Sequence, residues 1–344
     1  MAMDIQTALG HISLKKDLST EEMVDVMRQI MSAGATDVQI GAFLLGMRLK
    51  GETIDEITGG VQVLREFASG VQVSGPHLVD IVGTGGDGAN LFNVSTAACF
   101  VVAAAGGRVA KHGNRSVSSS SGSADVLEAA GVRLDISPGQ VTQCVNELGV
   151  GFMFALMHHS AMRHVSLARK ELGLRTLFNI LGPMANPAGL TRQLIGVYDR
   201  ALCRPMAEVL QRLGSEHVMI VHSEDGLDEI SLAADTHVAE LKDSVISEYA
   251  LQPEQLGFER EPLHDLVVDG VDASLQLLTQ VLAGEQDQRS QRAAHLVALN
   301  AGAALYVAAV ADSVADGVAA ANDILARGAG LEKMQQLARM TQGF

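Results

Sequence analysis

The sequence predicts an α/β protein in two parts: a small N-terminal helical domain, then a larger domain with a mainly parallel central sheet. Three observations carry this. The first seventy or so residues hold apolar stripes at helical spacing, framed by helix-start and helix-stop signals. From about Val73 to Pro76 onward, short apolar runs of strand length alternate with helix-length segments, the pattern of a parallel sheet with crossover helices. A chain of 344 residues also exceeds the usual single core.

The helices of the first part are marked at both ends. Ser19 with Glu22, Thr36 with Gln39 and Thr53 with Glu56 have capping-box spacing, in which a hydroxyl and a carboxylate or amide satisfy the free N–H groups of a helix start. Gly34, Gly51 and Gly70 stand where each helix is expected to stop. Met23, Met27, Ile30 and Met31 share one face of the first of these helices, and Ile57, Val61 and Leu64 one face of the third. Such a methionine stripe is read as core or subunit interface rather than as a ligand box.

In the second part the strand candidates are Leu78–Val82, Val109–Lys111, Gly151–Ala155, Gln193–Val197 and His217–Val221. Helices are expected over Val94 to Ala105, over Ser123–Ala130, and after Ser137, where Pro138 and Gln140 complete a start and Gly149 an end. Thr236–Leu241 and Val245–Leu251 suit an antiparallel pair around Lys242-Asp243-Ser244. The alanine-rich stretch from Ala293 to Ala326 is helical and closes the core, whereas residues 253–290 are polar and uninformative. A helix is also expected over Ser160 to Thr176, carrying Arg163, His164, Arg169, Lys170 and Arg175.

Composition narrows the function. The 40 acidic and 25 basic residues leave a formal charge of −15, which disfavours sequence-independent nucleic-acid binding through phosphate neutralisation. Aromatic residues make up 3% and Trp is absent, so base-stacking platforms are disfavoured as well. Three scattered cysteines (Cys99, Cys144, Cys203) form neither a metal spacing nor a disulfide framework. No signal pattern or long uncharged apolar span is evident, and a cytoplasmic protein is expected.

The chemistry concentrates between Leu78 and Ser123. An apolar run leads into Gly83-Thr84-Gly85-Gly86-Asp87-Gly88, and a small-residue helix opens at Asn93, Val94, Ser95 and Thr96. A strand, a glycine-dense turn and a helix N-terminus form an anion site, because backbone N–H groups can close on a ligand and the helix dipole adds positive charge. A second apolar run delivers Lys111-His112-Gly113-Asn114-Arg115 and a serine-rich loop ending at Gly122-Ser123. The stretch is neither a Walker loop nor a dinucleotide fingerprint. Its two polar loops, with the Lys111/Arg115 cations, fit a multiply phosphorylated small molecule. Farther on, the adjacent carboxylates Asp228-Glu229 follow a strand; taken alone they read first as an acidic loop tip, and they also suit Mg²⁺, which takes hard oxygen ligands and shares them with substrate phosphates.

These motifs, GTGGD…NVST, KHGNRSVSS…GS, HHSAMRHV (His158 to Val165), RKELGLRTLFNILGP (Arg169 to Pro183) with NPAG, and DGLDEISL (Asp225 to Leu232), make the chain resemble the anthranilate phosphoribosyltransferases over essentially its whole length. The resemblance implies a nucleoside phosphorylase/phosphoribosyltransferase-like fold. A helical domain over 1–75 would be joined by a crossover segment near 160–190, with the α/β domain over 76–344. It implies transfer of the phosphoribosyl group of phosphoribosyl pyrophosphate (PRPP) to the amine of anthranilate, with Mg²⁺, and a homodimer formed through the helical domain. By motif position, PRPP would meet Gly83, Gly86, Asp87, Asn93, Val94, Ser95, Thr96, Lys111, His112, Gly113, Asn114, Arg115, Ser118, Ser119 and Ser123. Anthranilate would meet Gly83, Asn114, His159 and Arg169, the last through a guanidinium that can hold a carboxylate at two points. Ser95, Asp228 and Glu229 would place the metal. An aromatic amine carries its own lone pair, so no single acid or base is expected, and Lys111, Asn114 and Arg169 would act by positioning.

The sequence departs from the commonest pattern at Ser120, where a lysine is frequent, at Ser160 after the histidine, and at Ser166-Leu167-Ala168 before Arg169. These touch the acceptor side more than the pyrophosphate loops. Two other readings share some features: a pyrimidine nucleoside phosphorylase, opposed by the KHGN loop, the acidic pair and Arg169, and a non-enzymatic nucleic-acid binder, opposed by the charge.

Overall fold

The computed structural model describes residues 2–116 and 120–344. Four helices come first, α1 (Ile5–Ser13), α2 (Thr20–Met31), α3 (Asp37–Lys50) and α4 (Ile54–Glu66). All three expected capping boxes form. α3 ends at Gly51 with φ +87°, but α4 stops at Glu66, before the expected Gly70, with Phe67 closing the last turn. The methionine stripe is interior: Met23, Met27 and Met31 pack inside the chain's own core. Lys50 reaches Asp17 at 2.7 Å and Glu56 at 2.8 Å, while Glu56 accepts the Leu18 N–H at 2.9 Å, which ties the starts of α2 and α4 to the end of α3.

The α/β portion runs β1 (Leu78–Gly83), α5 (Val94–Ala104), β2 (Arg108–Gly113), α6 (Ser123–Ala129), α7 (Pro138–Leu148), β3 (Val150–Phe154), α8 (Ala155–His158), α9 (Arg163–Leu172), α10 (Leu177–Met184), β4 (Arg192–Gly196), α11 (Cys203–Arg212), β5 (His217–Ser223), β6 (Thr236–Lys242), β7 (Val245–Leu251), α12 (Val271–Ala283), α13 (Gln288–Val307), α14 (Val314–Ala326) and α15 (Ala329–Gln342). The sheet order is β3-β2-β1-β4-β5-β6-β7, with β1 to β5 parallel and the last two strands antiparallel.

Both faces of the sheet are covered. Along β5, Met219 and Val221 join the core built with α5 and α12 to α15, while Val218 and Ile220 join the core shared with α11 and the N-terminal helices. Alternating side chains thus enter two different cores, which is why the strand reads as an unbroken apolar run. α9 packs on α2 and α3, and α10 on α3 and α4, so this segment returns to the helical bundle before the chain re-enters the sheet. The helix expected over Ser160 to Thr176 is shorter: Gly173, at φ +59°, ends it, and Arg175 lies beyond its end. Residues 253–290, blank in sequence, contain α12.

Candidate active site

Parallel strands point their carboxyl ends the same way, and four motif segments therefore meet along one edge: those after β1, β2, β3 and β5. Successive connections run from β1 outward to β2 and β3, then back across β1 to β4. The gap beside β1 is the switch point where open α/β sheets bind ligands.

The turn after β1 places Gly85, Gly86 and Gly88 at φ +65°, +81° and +76°, a left-handed path that glycine follows without Cβ strain. The Thr84 N–H donates to the Gly196 carbonyl at 2.9 Å, and its hydroxyl accepts from the Tyr198 N–H at 3.1 Å. Arg175 stacks over the Tyr198 ring at 4.0 Å and donates to the Gly86 carbonyl, so the segment after α9 grips the glycine turn. At the start of α5, the Asn93 side chain does not cap its own helix. It accepts hydrogen bonds from Ser121 at 2.8 Å and from Ser274 of α12 at 2.7 Å. Val94 and Thr96 are buried, and the Thr96 hydroxyl has no hydrogen-bond partner among the described residues.

Asp228 and Glu229 lie across the ends of β1 and β4. The Gly85 N–H donates to Asp228 Oδ2 at 2.7 Å, and the Ser95 N–H to Glu229 Oε1 at 3.1 Å. A Cβ on Gly83 would run into the Asp228 carboxylate, and one on Gly196 into the Asp228 backbone carbonyl. Burial, then the charge of Asp87, pushes Asp228 above the ordinary carboxylate range; Glu229 is pushed up by burial and by Asp228. Lys111 offsets part of this, but its ammonium is buried, donating to the Ile81 carbonyl at 2.5 Å and to Ser95 Oγ at 3.4 Å. Asp80 sits beneath, pushed up to about 6 by burial, and accepts from the His112 N–H at 3.2 Å and from Asn186 at 2.7 Å.

The two cations expected to face the ligand are thus differently placed. Lys111 is interior. Arg115 is taken up by Asp125 at 2.9 Å and Glu128 at 2.8 Å, over the Phe154 ring.

Beside these loops, pairing of β2 with β3 brings His112 and His159 together, with ring centroids 5.1 Å apart. Both Nε2 atoms are buried without partners among the described residues. Burial lowers both imidazoles, His159 to about 4, so they are neutral near pH 7 and can serve a ligand as donor or acceptor. Asn114 is exposed beyond β2, with its Oδ1 accepting from the Arg115 N–H at 2.8 Å, and its carbonyl accepts from the Ser123 hydroxyl at 3.4 Å. Arg169 on α9 stands 5.4 Å from the Phe178 ring and has no ion-pair partner among the described residues. Burial lowers its pKa, which marks a guanidinium partly stripped of water. Ser118 and Ser119 lie outside the described residues.

Residues 75–331 match the α/β domain of the glycosyl transferase family, and residues 6–68 match that family's helical bundle domain. The anthranilate phosphoribosyltransferase of Marinobacter nauticus is 60% identical over 99% of this chain and 100% of its own length. That of Cellvibrio japonicus is 58% identical over 99% of both chains. The chain belongs to the anthranilate phosphoribosyltransferase family. The crystal structure of the Thermus thermophilus member superposes with a TM-score of 0.91 at 41% identity, covering 97% of this chain and 99% of that one. A Saccharomyces cerevisiae member, solved in complex with PRPP and Mg, shares the fold with a TM-score of 0.90 at 24% identity, covering 99% and 98%.

Within this family architecture the donor set suits a hard cation. Asp228, Glu229 and the Ser95 hydroxyl are all oxygen donors, and burial and neighbouring carboxylates disfavour the charged forms of the acidic pair more than Lys111 offsets, a penalty that a bound cation would relieve. Among the described residues, no three His, Cys, Asp or Glu side chains complete a metal cage by themselves. A cation here would therefore share its coordination with substrate oxygens, the habit of Mg²⁺. Asp80, Asn186, Arg175, Gly196 and Ser274 support the site without having been picked out for it in sequence. Gly196, at the end of an apolar run, Arg175, inside the RKELGLRTLFNILGP motif, and Asn186, which opens the NPAG motif, left signals that could have been used.

Proposed function

We propose that this chain transfers the phosphoribosyl group of PRPP to the amine of anthranilate, forming N-(5-phosphoribosyl)anthranilate and pyrophosphate, a step of tryptophan biosynthesis. The observation that carries the reading is the convergence of the GTGGD, NVST, KHGN and DGLDE segments on one sheet edge, in a chain 60% identical to a relative of that name. The Gly83–Asp87 turn and the Asn93–Thr96 helix start would cradle pyrophosphate and ribose. Ser95, Asp228 and Glu229 would hold Mg²⁺, which neutralises charge developing on the leaving pyrophosphate. Without that cation, the acidic loop would repel the substrate it faces.

Anthranilate would approach past His112 and His159, with its carboxylate on Arg169 and near Asn114. The amine nitrogen uses its own lone pair to bond the anomeric carbon as the bond to pyrophosphate breaks, and the proton it then sheds passes to the released pyrophosphate or to water. Positioning and charge stabilisation then supply the rate, with no single indispensable base. The direct test follows anthranilate fluorescence with PRPP and Mg²⁺. Arg169→Ala is expected to raise the anthranilate KM about 100-fold, the scale of a lost charged hydrogen-bonded pair, with the PRPP KM unchanged. Equal loss toward both substrates would remove Arg169 from the acceptor site.

We also propose a homodimer through the helical domain. Val38, Leu45 and Leu49 recur along one face of α3, beside Leu14 at the end of α1, and Val38 and Leu49 are 82% and 71% exposed. Val38→Glu with Leu49→Glu is expected to convert a dimer to a monomer in light scattering. A wild-type monomer at micromolar concentration would refute the assignment. The three cysteines are free thiols, which fits a reducing cytoplasmic compartment.

A further inference from the structure

Asn300 lies fully buried in the middle of α13, a place where a leucine would ordinarily serve helix and core better. Its amide is committed to one residue across the fold. Asn300 Oδ1 accepts from the Ile230 N–H at 2.9 Å, and Nδ2 donates back to the Ile230 carbonyl at 2.9 Å. The second Nδ2 hydrogen goes to the Leu296 carbonyl at 3.0 Å, one turn earlier on the helix.

Ile230 belongs to no helix or strand and is itself buried. Its backbone N–H and C=O therefore need partners from elsewhere, and a side-chain amide supplies both as a neighbouring strand would. Ile230 directly follows Glu229. The acidic pair is thus held from two sides: by the Gly85 and Ser95 N–H groups in front, and by Asn300 behind. α13 also packs against β1, β4 and β5, so the clamp references the carboxylates to the helix that supports the strands beneath the site.

We propose that Asn300 is a positioning residue that holds the Asp228-Glu229 loop in register for the metal-bound pyrophosphate. The inference rests on reading that pair as the Mg²⁺ site. Removing the amide would leave Glu229 on a mobile chain, and the protein would then need more metal to assemble the same complex.

The test uses Asn300→Leu and Asn300→Ser in the full chain, with Leu299→Ala as a control buried on the same helix. Three quantities are read: the Mg²⁺ concentration giving half-maximal rate at saturating PRPP, the anthranilate KM, and hydrogen exchange of the 228–231 backbone without metal. Outer-shell substitutions cost metal affinity about 10- to 100-fold, and the Asn300 variants should raise the Mg²⁺ requirement on that scale. The anthranilate KM should stay unchanged, exchange should quicken, and Leu299→Ala should lose stability with no change in Mg²⁺ requirement. If Asn300→Leu does not fold, Asn300→Ser decides. A folded Asn300 variant with the wild-type Mg²⁺ requirement, or a control that shifts it equally, overturns the inference. A wild-type rate independent of Mg²⁺ overturns the metal reading itself, and the inference with it.

Discussion

Replacing Asp228 by Asn and Glu229 by Gln together is expected to lower kcat/KM about 10³-fold while leaving a folded protein. Metal stabilisation of a leaving group supplies several kcal/mol, and each ~1.4 kcal/mol is a factor of ten. The fold should survive because both side chains are lodged against Gly85 and Ser95 N–H groups that an amide oxygen can also satisfy.

The same pair sets a pH signature. Burial, then the charge of Asp228, pushes Glu229 from an ordinary 4.5 up to about 8, and Asp228 rises in the same direction. A carboxyl raised on folding holds a proton that the unfolded chain releases, so its contribution is fully present below pH 4.5 and is lost as pH climbs toward 8. A divalent cation replaces those protons. Mg²⁺ with pyrophosphate should accordingly raise the melting temperature at pH 8 more than at pH 5, and the double variant should show no such difference. An equal rise at both pH values in the wild type would separate the acidic pair from the metal.

Gly196→Ala is the second large effect. Gly196 pairs in register with Gly83 on the neighbouring strand, and the acidic loop crosses directly above the two. A Cβ at Gly196 would occupy the place of the Asp228 backbone carbonyl, and backbone cannot step aside as a flexible side-chain end does. Overpacking of this kind costs about 1–3 kcal/mol of stability. The functional cost should be larger, since a displacement of about 1 Å at a reacting site can remove 10²-fold of rate. Gly139, with open space around it on α7, provides the control: Gly139→Ala should leave kcat/KM unchanged. Near-normal turnover in a folded Gly196→Ala protein would mean that the loop tolerates displacement and that its geometry is not what positions the metal.

The features legible along the chain were local ones. Helix starts at Ser19, Thr36, Thr53 and Ser137 and the turn at Asp243-Ser244 were legible because caps and turns are decided by residues a few positions apart. The parallel strands were legible because a run buried on both faces must be apolar throughout. The GTGGD, KHGN and Asp228-Glu229 segments were legible as chemistry because glycine-rich turns and adjacent carboxylates need no distant context to be recognised.

Tertiary structure decided which charges are available and what holds the site together. Lys111 and Arg115 read alike on the chain, yet one is buried under Ser95 and the other neutralised by Asp125 and Glu128. Asn93 looks like a helix cap, but its partners come from Ser121 and from Ser274 in a stretch that carried no pattern. Asn300 looks like a lapse in an alanine-rich helix until Ile230 is seen against it. The reason is physical: hydrophobic periodicity and capping are settled within a few residues, whereas a buried polar group must find its partner wherever the fold delivers one.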